Sequence, residues 1–177
     1  MLSIHLIEQG ASPVLVYGLG FMFVTLLLAS FSDLRRMTIK AEYMTMWVGL
    51  SIIMLLYDYF SGNQFFLIKW GMIILLGILS YEKSGKIFKL AKSDVIAISA
   101  LCSVISFIYI IPFYLILLVV NSLGSWPLRL FGKKNAYPFM PVIFLSVLVL
   151  IFILGIVNWQ SLIQIIGNWN QFIPYFS

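Results

Sequence analysis

Charged residues are scarce in this chain. They make up 10% of it, where a soluble domain carries about a quarter. Hydrophobic residues make up 62%, so the chain reads as a polytopic membrane protein. Cysteine and histidine are nearly absent, with one of each, Cys102 and His5. That excludes a disulfide within the chain and leaves too few ligands for a Cys/His zinc site. Neither HExxH nor GxSxG occurs, which removes the usual metalloprotease and serine-hydrolase signatures. No cofactor and no metal are expected. Residues 1–12 hold no Lys or Arg, so they lack the positive n-region of a secretory signal peptide. His5 and Glu8 read as part of a solvated tail.

What the chain does have is long uncharged runs separated by short basic clusters. At about 20 residues per crossing, its length allows roughly six transmembrane helices in a single all-α domain over residues 1–177. The first span runs over 13–32, with Pro13 suited to a helix start. The second covers about 43–57 and the third about 65–81, with Lys69 near its start placed to snorkel to the interface. The run from Val95 to Leu128 is 34 residues without a charge, about 51 Å as one helix and too long for one crossing. Pro112 is expected to mark the reversal between spans four and five. The sixth span covers about 138–157. Trp159, Trp169 and Tyr175 in the uncharged tail suit a membrane interface. Gly18, Gly20, Gly49, Gly71 and Gly77 are expected to let helices approach closely.

The basic residues set the topology. Ten of the eleven fall after spans one, three and five: Arg35, Arg36 and Lys40; Lys83, Lys86, Lys89 and Lys92; Arg129, Lys133 and Lys134. Only Lys69 does not. Those three loops then share a side, and the positive-inside rule makes it the cytoplasm. The expected protein is a multi-pass plasma-membrane protein with both termini outside. The net charge of +5 is a topology signal on this pattern, and no nucleic-acid partner is expected.

The same topology brings two acids together. Asp33 ends span one at the cytoplasmic face, and Asp94 opens span four at that face. Ionisable groups at a membrane edge are costly and mark functional sites. Two close carboxyls repel when both are ionised and can share a proton. One can then take a proton from water while the other polarises a carbonyl, the chemistry of an aspartic protease. Each residue alone also has a structural reading. Asp33 could pair with Arg35 and Arg36, and Asp94 could cap its own helix. Of the other acids near spans, Asp58 falls on the opposite side, and Glu42 and Glu82 look solvated in basic loops. Asn121 and Ser122 suit an interhelical hydrogen bond or a cavity lining. Tyr137-Pro138-Phe139-Met140-Pro141 suits a helix start set by two prolines or a substrate groove.

These residues carry a resemblance. Asp33, followed by Arg35-Arg36 and Ile39-Lys40-Ala41, resembles the first catalytic motif of the type IV prepilin peptidases. Ala91-Lys92-Ser93-Asp94 resembles a degenerate form of their GxGD motif at the start of the fourth helix. Pro112-Phe113, Asn121-Ser122 and the 137–141 segment are similar to the archaeal branch, the preflagellin (prearchaellin) peptidases. The resemblance implies an intramembrane aspartic endopeptidase with Asp33 and Asp94 as the catalytic pair and Ala91, Lys92 and Ser93 as the motif loop. It implies a pilin-like or archaellin precursor as partner, cut at the cytoplasmic face between a short basic leader and its apolar segment.

The chain departs from the family pattern in two places. Ala91 and Ser93 stand where the motif has glycines, which would allow positive φ and close backbone approach. The four-cysteine domain and methyltransferase activity of bacterial relatives have no counterpart here. Two other classes stay open: a non-catalytic, degenerate membrane subunit, which Ala91 and Ser93 favour, and a small transporter with the two acids as a proton relay.

Overall fold

The computed structural model describes residues 13–36, 38–82, 90–128 and 137–157. The charged segments 83–89 and 129–136, His5 and Glu8, and the expected interfacial Trp159, Trp169 and Tyr175 lie outside these residues. The described residues form six α-helices and no strand: α1 (Pro13–Arg36), α2 (Ala41–Phe60), α3 (Phe66–Ser80), α4 (Lys92–Val104), α5 (Phe107–Leu128) and α6 (Met140–Val157). The all-α expectation holds.

Helix boundaries follow local chemistry. α1 begins at Pro13 and ends on Arg35 and Arg36, cations that suit the negative end of a helix dipole. α2 ends in a turn through Ser61 and Gly62. Gly62 has φ +66°, a left-handed conformation that glycine takes without a Cβ clash. The Asn63 side chain accepts the Phe65 N–H at 3.0 Å, and α3 follows. Beyond α3, Glu82 N–H donates to the Leu90 carbonyl and Leu90 N–H to that of Ser80, both at 3.0 Å.

Three helices are long and apolar enough to cross a membrane: Val16–Arg36, Ala41–Phe60 and Phe107–Gly124. Phe66–Ser80 and Met140–Ile153 are shorter apolar helices. The expectation of about six spans is therefore not met: the described residues form six helices, of which three are long and apolar enough to cross. The unequal split of the 95–128 run is one cause. It breaks at Ile105-Ser106, not at Pro112. Ile105 is extended, with φ −77° and ψ 156°, and Ser106 offers its carbonyl to Tyr109 N–H at 2.9 Å to start α5. Pro112 sits in the second turn of α5, where the helix gives up one backbone bond and continues. α4 is left with 13 residues, about 20 Å, against a hydrocarbon core of about 30 Å.

That short helix is the centre of the fold. α4 packs on α1, α2 and α3, while α6 packs on α1 and α5. Ala97, Ile98, Ala100, Leu101, Cys102, Ser103 and Val104 of α4 are all buried. A helix buried over most of its length needs little polar face. The other five helices turn large apolar side chains outward, among them Phe31, Ile53, Leu67, Leu115 and Phe152; among the described residues α4 contributes none. Apolar surface on the outside of a bundle suits a lipid environment.

Helix–helix contacts are specific. Trp47 Nε1 donates to Thr25 Oγ1 at 3.0 Å inside the α1–α2 interface. A Cβ on Gly18 would lie 3.2 Å from Val104, and one on Gly77 3.5 Å from Ser99 Oγ. Gly20, Gly49 and Gly71 have open space beside them, so close packing accounts for two of the five glycines.

Contacts between helix ends fix their directions. The end of α1 meets the starts of α4 and α6 through Asp33. The end of α2, the start of α3 and the end of α4 meet through Asp58, Lys69 and Ser103. Phe65 and Phe107 stack at 4.4 Å, joining the starts of α3 and α5. Successive helices therefore alternate in direction.

Candidate functional site

Asp33 lies in the last turn of α1 and is 6% exposed; Asp94 lies in the first turn of α4 and is 7% exposed. The structure brings them together: α1 packs on α4, and Asp94 feels the charge of Asp33. Two helices, α2 and α3, separate them in sequence, and the alternation of helix direction returns them to one end of the bundle.

Each carboxylate is also held by backbone. Asp33 Oδ2 accepts the Met140 N–H at 3.1 Å, and Asp33 accepts the Phe139 N–H as well. These donors open α6, whose first internal bonds run from Val142 and Ile143 to the Phe139 carbonyl. Pro141 has no N–H, so the exposed donors of this helix start are met by one side chain from another helix. The ion pair suggested for Asp33 is not formed: Arg35 and Arg36 point to the exterior, and among the described residues the one ion pair is Asp58–Lys69.

Asp94 takes the third helical position after Ala91, which caps α4 by accepting the N–H groups of Asp94 at 3.1 Å and Val95 at 3.2 Å. The Asp94 carboxylate reaches back to the Ala91 N–H, the return half of a capping box. Ser93 Oγ donates weakly to Asp94 Oδ1 at 3.5 Å. Lys92 is exposed.

Neither departure from glycine strains the backbone. Ala91 is extended, with φ −64° and ψ 158°, and Ser93 is helical; both conformations are open to any residue. The concern that these positions need positive φ does not apply in this fold.

The segment before α6 is pinned beside the site. The Tyr137 hydroxyl donates to Asn121 Oδ1 of α5 in a short hydrogen bond. Asn121 thus bonds the segment before α6 and not another helix, and Ser122 Oγ donates to the Val119 carbonyl of its own helix at 3.1 Å. Pro138 and Phe139 are buried.

Lys69 departs from its expected place. It is 3% exposed and does not snorkel. Its Nζ donates to Asp58 Oδ2 at 2.8 Å and to the Ser103 carbonyl at 2.6 Å. Asp58 also accepts from Trp70 Nε1 at 3.1 Å. The physical reason is the shortness of α4: its last carbonyls end inside the bundle and need a donor, and a buried cation needs a counter-ion. Asp58 lies at the opposite end from Asp33 and Asp94, as expected. Glu42 and Glu82 are exposed.

Sequence reasoning missed the hold of Asp33 on α6. A signal existed: α6 opens on Pro138-Phe139, without the Ser, Thr, Asp or Asn that caps most helices, so its donors had to be met from elsewhere.

Chemically, two buried carboxyls under mutual charge, each oriented by backbone donors, form a unit suited to general acid–base work on a water or carbonyl. Among the described residues no three His, Cys, Asp or Glu side chains gather to hold a metal ion. In comparison with known proteins, the chain matches no protein-family model, no curated protein and no solved structure.

Proposed function

We propose that this protein is an intramembrane aspartic endopeptidase. It removes a short basic leader from a pilin-like or archaellin precursor at the cytoplasmic membrane face. The observation that carries the reading is the convergence of Asp33 and Asp94, both buried at one end of the bundle with the charge of one acting on the other. In the working state one carboxyl is protonated and one ionised. The ionised group takes a proton from a water, and the protonated one donates to the scissile carbonyl oxygen. The backbone donors from Met140 and Ala91 orient the pair before substrate arrives.

The membrane arrangement belongs to the same proposal. Six crossings alternate, with both termini outside and Asp33, Asp94, Arg35, Arg36, Lys40 and Lys92 at the cytoplasmic end. The alternation of helix direction and the outward apolar side chains of five helices support it. α4 crosses as a short central helix screened from lipid by its neighbours. A basic leader would lie among the headgroups at this end, with the scissile bond at the dyad where its apolar segment begins.

One observation favours a second reading, a non-catalytic membrane subunit. Both aspartates cap helix starts, Asp33 that of α6 and Asp94 its own, so either could be present for structure alone. The relaxed backbone at Ala91 and Ser93 removes the conformational ground for that reading. The transporter reading would need acids part-way along the helices, and both acids sit at helix ends.

The test is direct. Membranes carrying the protein are mixed with a precursor that joins a Lys-rich leader to an apolar helix. N-terminal sequencing of the product should place the cut at the leader boundary. A precursor that stays intact with well-expressed protein would favour the non-catalytic subunit.

A further inference from the structure

The buried pair at the far end of α4 has no part in the chemistry above, yet it gathers several hydrogen bonds from three helices. Asp58 Oδ2 accepts from Lys69 Nζ at 2.8 Å and from Trp70 Nε1 at 3.1 Å, and Asn63 Nδ2 lies 3.5 Å from Asp58 Oδ1. Lys69 Nζ then donates to the Ser103 carbonyl at 2.6 Å. Buried ion pairs seldom add net stability over apolar packing, so stability alone does not account for this pair.

The reason lies in what α4 carries. Ser103 is nine residues beyond Asp94, about 13.5 Å along one rigid helix. An axial slip at the Ser103 end therefore moves Asp94 by the same amount. Along its buried length Ala97, Ile98, Ala100, Leu101 and Val104 make apolar contacts without direction; just before the helix, the Leu90 backbone bonds to Ser80 and Glu82 hold its start to the end of α3. The Lys69–Ser103 bond is directional. It ties α4 to the start of α3, and through Asp58 to the end of α2.

We propose that Asp58 and Lys69 are positioning residues: they fix the depth of α4 in the bundle and so hold Asp94 level with Asp33. The kinetic part of this inference rests on the peptidase reading; the geometric part does not.

Two neutral double variants test it, Asp58→Asn with Lys69→Met and Asp58→Leu with Lys69→Met. Both leave the Ser103 carbonyl without its donor and leave no unpaired charge. The second is expected to fold, since apolar replacement of a buried ion pair is often tolerated. In a Cys102→Ala background, nitroxides are placed at Arg36 and Lys92, exposed positions at the ends of α1 and α4 that carry the acids. Dipolar coupling between them should be sharp in the parent and broad in both double variants. Cleavage should fall in kcat, by up to about 100-fold for a displacement near 1 Å, with KM within about two-fold because the substrate contacts are untouched. Lys69→Arg keeps charge and donor and should retain both readouts. A folded Asp58→Leu/Lys69→Met protein with the parent's coupling would overturn the proposal, as would one with the parent's kcat. If the parent protein cuts no precursor, the peptidase reading fails, and the coupling alone decides whether the pair sets the depth of α4.

Discussion

On the peptidase reading Asp33 has two jobs, and substitution can separate them. Asp33→Ala removes the acceptor for the Met140 and Phe139 N–H groups. Loss of a capping side chain costs about 0.5–2 kcal/mol, and a buried donor left unpaired about 1–3 kcal/mol. Removing one of two carboxylates that repel each other offsets part of this, so a net loss of about 1–2 kcal/mol is expected. At about 2–4 °C per kcal/mol for a chain of this size, the melting temperature should drop by about 2–8 °C. Asp33→Asn keeps an oxygen for the same donors, and Asn caps helices about as well as Asp. It loses the attraction of a negative charge for the start of α6, about 0.3–1 kcal/mol, and it loses the repulsion from Asp94. These oppose each other, so its melting temperature should stay within about 2 °C of the parent's on that scale. The assay is thermal unfolding of detergent-purified protein, followed by the fluorescence of its five tryptophans. An Asn variant that falls as far as the Ala variant would refute this division of roles. An Ala variant that melts with the parent would show that Asp33 does not hold α6.

Other outcomes follow from the same structure. With Cys102 replaced, a cysteine at the exposed Ser61 should react with an impermeant maleimide from outside, and one at the exposed Glu82 should not; the reverse pattern would invert the topology. Gly18→Ala sets a methyl 3.2 Å from Val104 and should lower stability by about 1 kcal/mol, at the low end of overpacking costs. Gly77→Ala meets its neighbour at 3.5 Å and should melt with the parent. Cleavage should be bell-shaped in pH, because it needs one protonated and one ionised carboxyl. A flat rate from about pH 4 to 9, a window spanning the ordinary carboxyl range and beyond, would rule out a shared-proton pair.

Much of this was legible in the chain. The spacing of basic clusters between apolar runs marked where the helices begin and end, though three and not six of them are long and apolar enough to cross a membrane, and it put Asp33 and Asp94 at one end. What stayed hidden was long-range. Pro112 is the stronger breaker by type, yet the chain turns at Ile105-Ser106, because proline early in a helix costs one bond while Ser106 can start a new one. Lys69 looked like a snorkelling cation because its need for burial comes from the end of α4 at Ser103, 34 positions away. With Lys69 buried against Asp58, Asp58→Asn alone would strand a cation in the bundle, a loss of about 3–5 kcal/mol by comparison with other broken buried pairs. Glu42 and Glu82, both exposed, remain the acids whose loss should leave activity unchanged. The glycine rule also misled: Ala91 occupies an extended backbone that asks nothing special of its side chain.

Cleavage rates of Asp33→Asn, Asp94→Asn and the double variant, measured on one Lys-rich precursor with matched amounts of folded protein, test whether the two carboxyls act on one water. Each single variant should lose cleavage, and the double variant should be no worse than either, because groups acting as one unit are not additive. Cutting at the parent's rate by either single variant would contradict the aspartic mechanism.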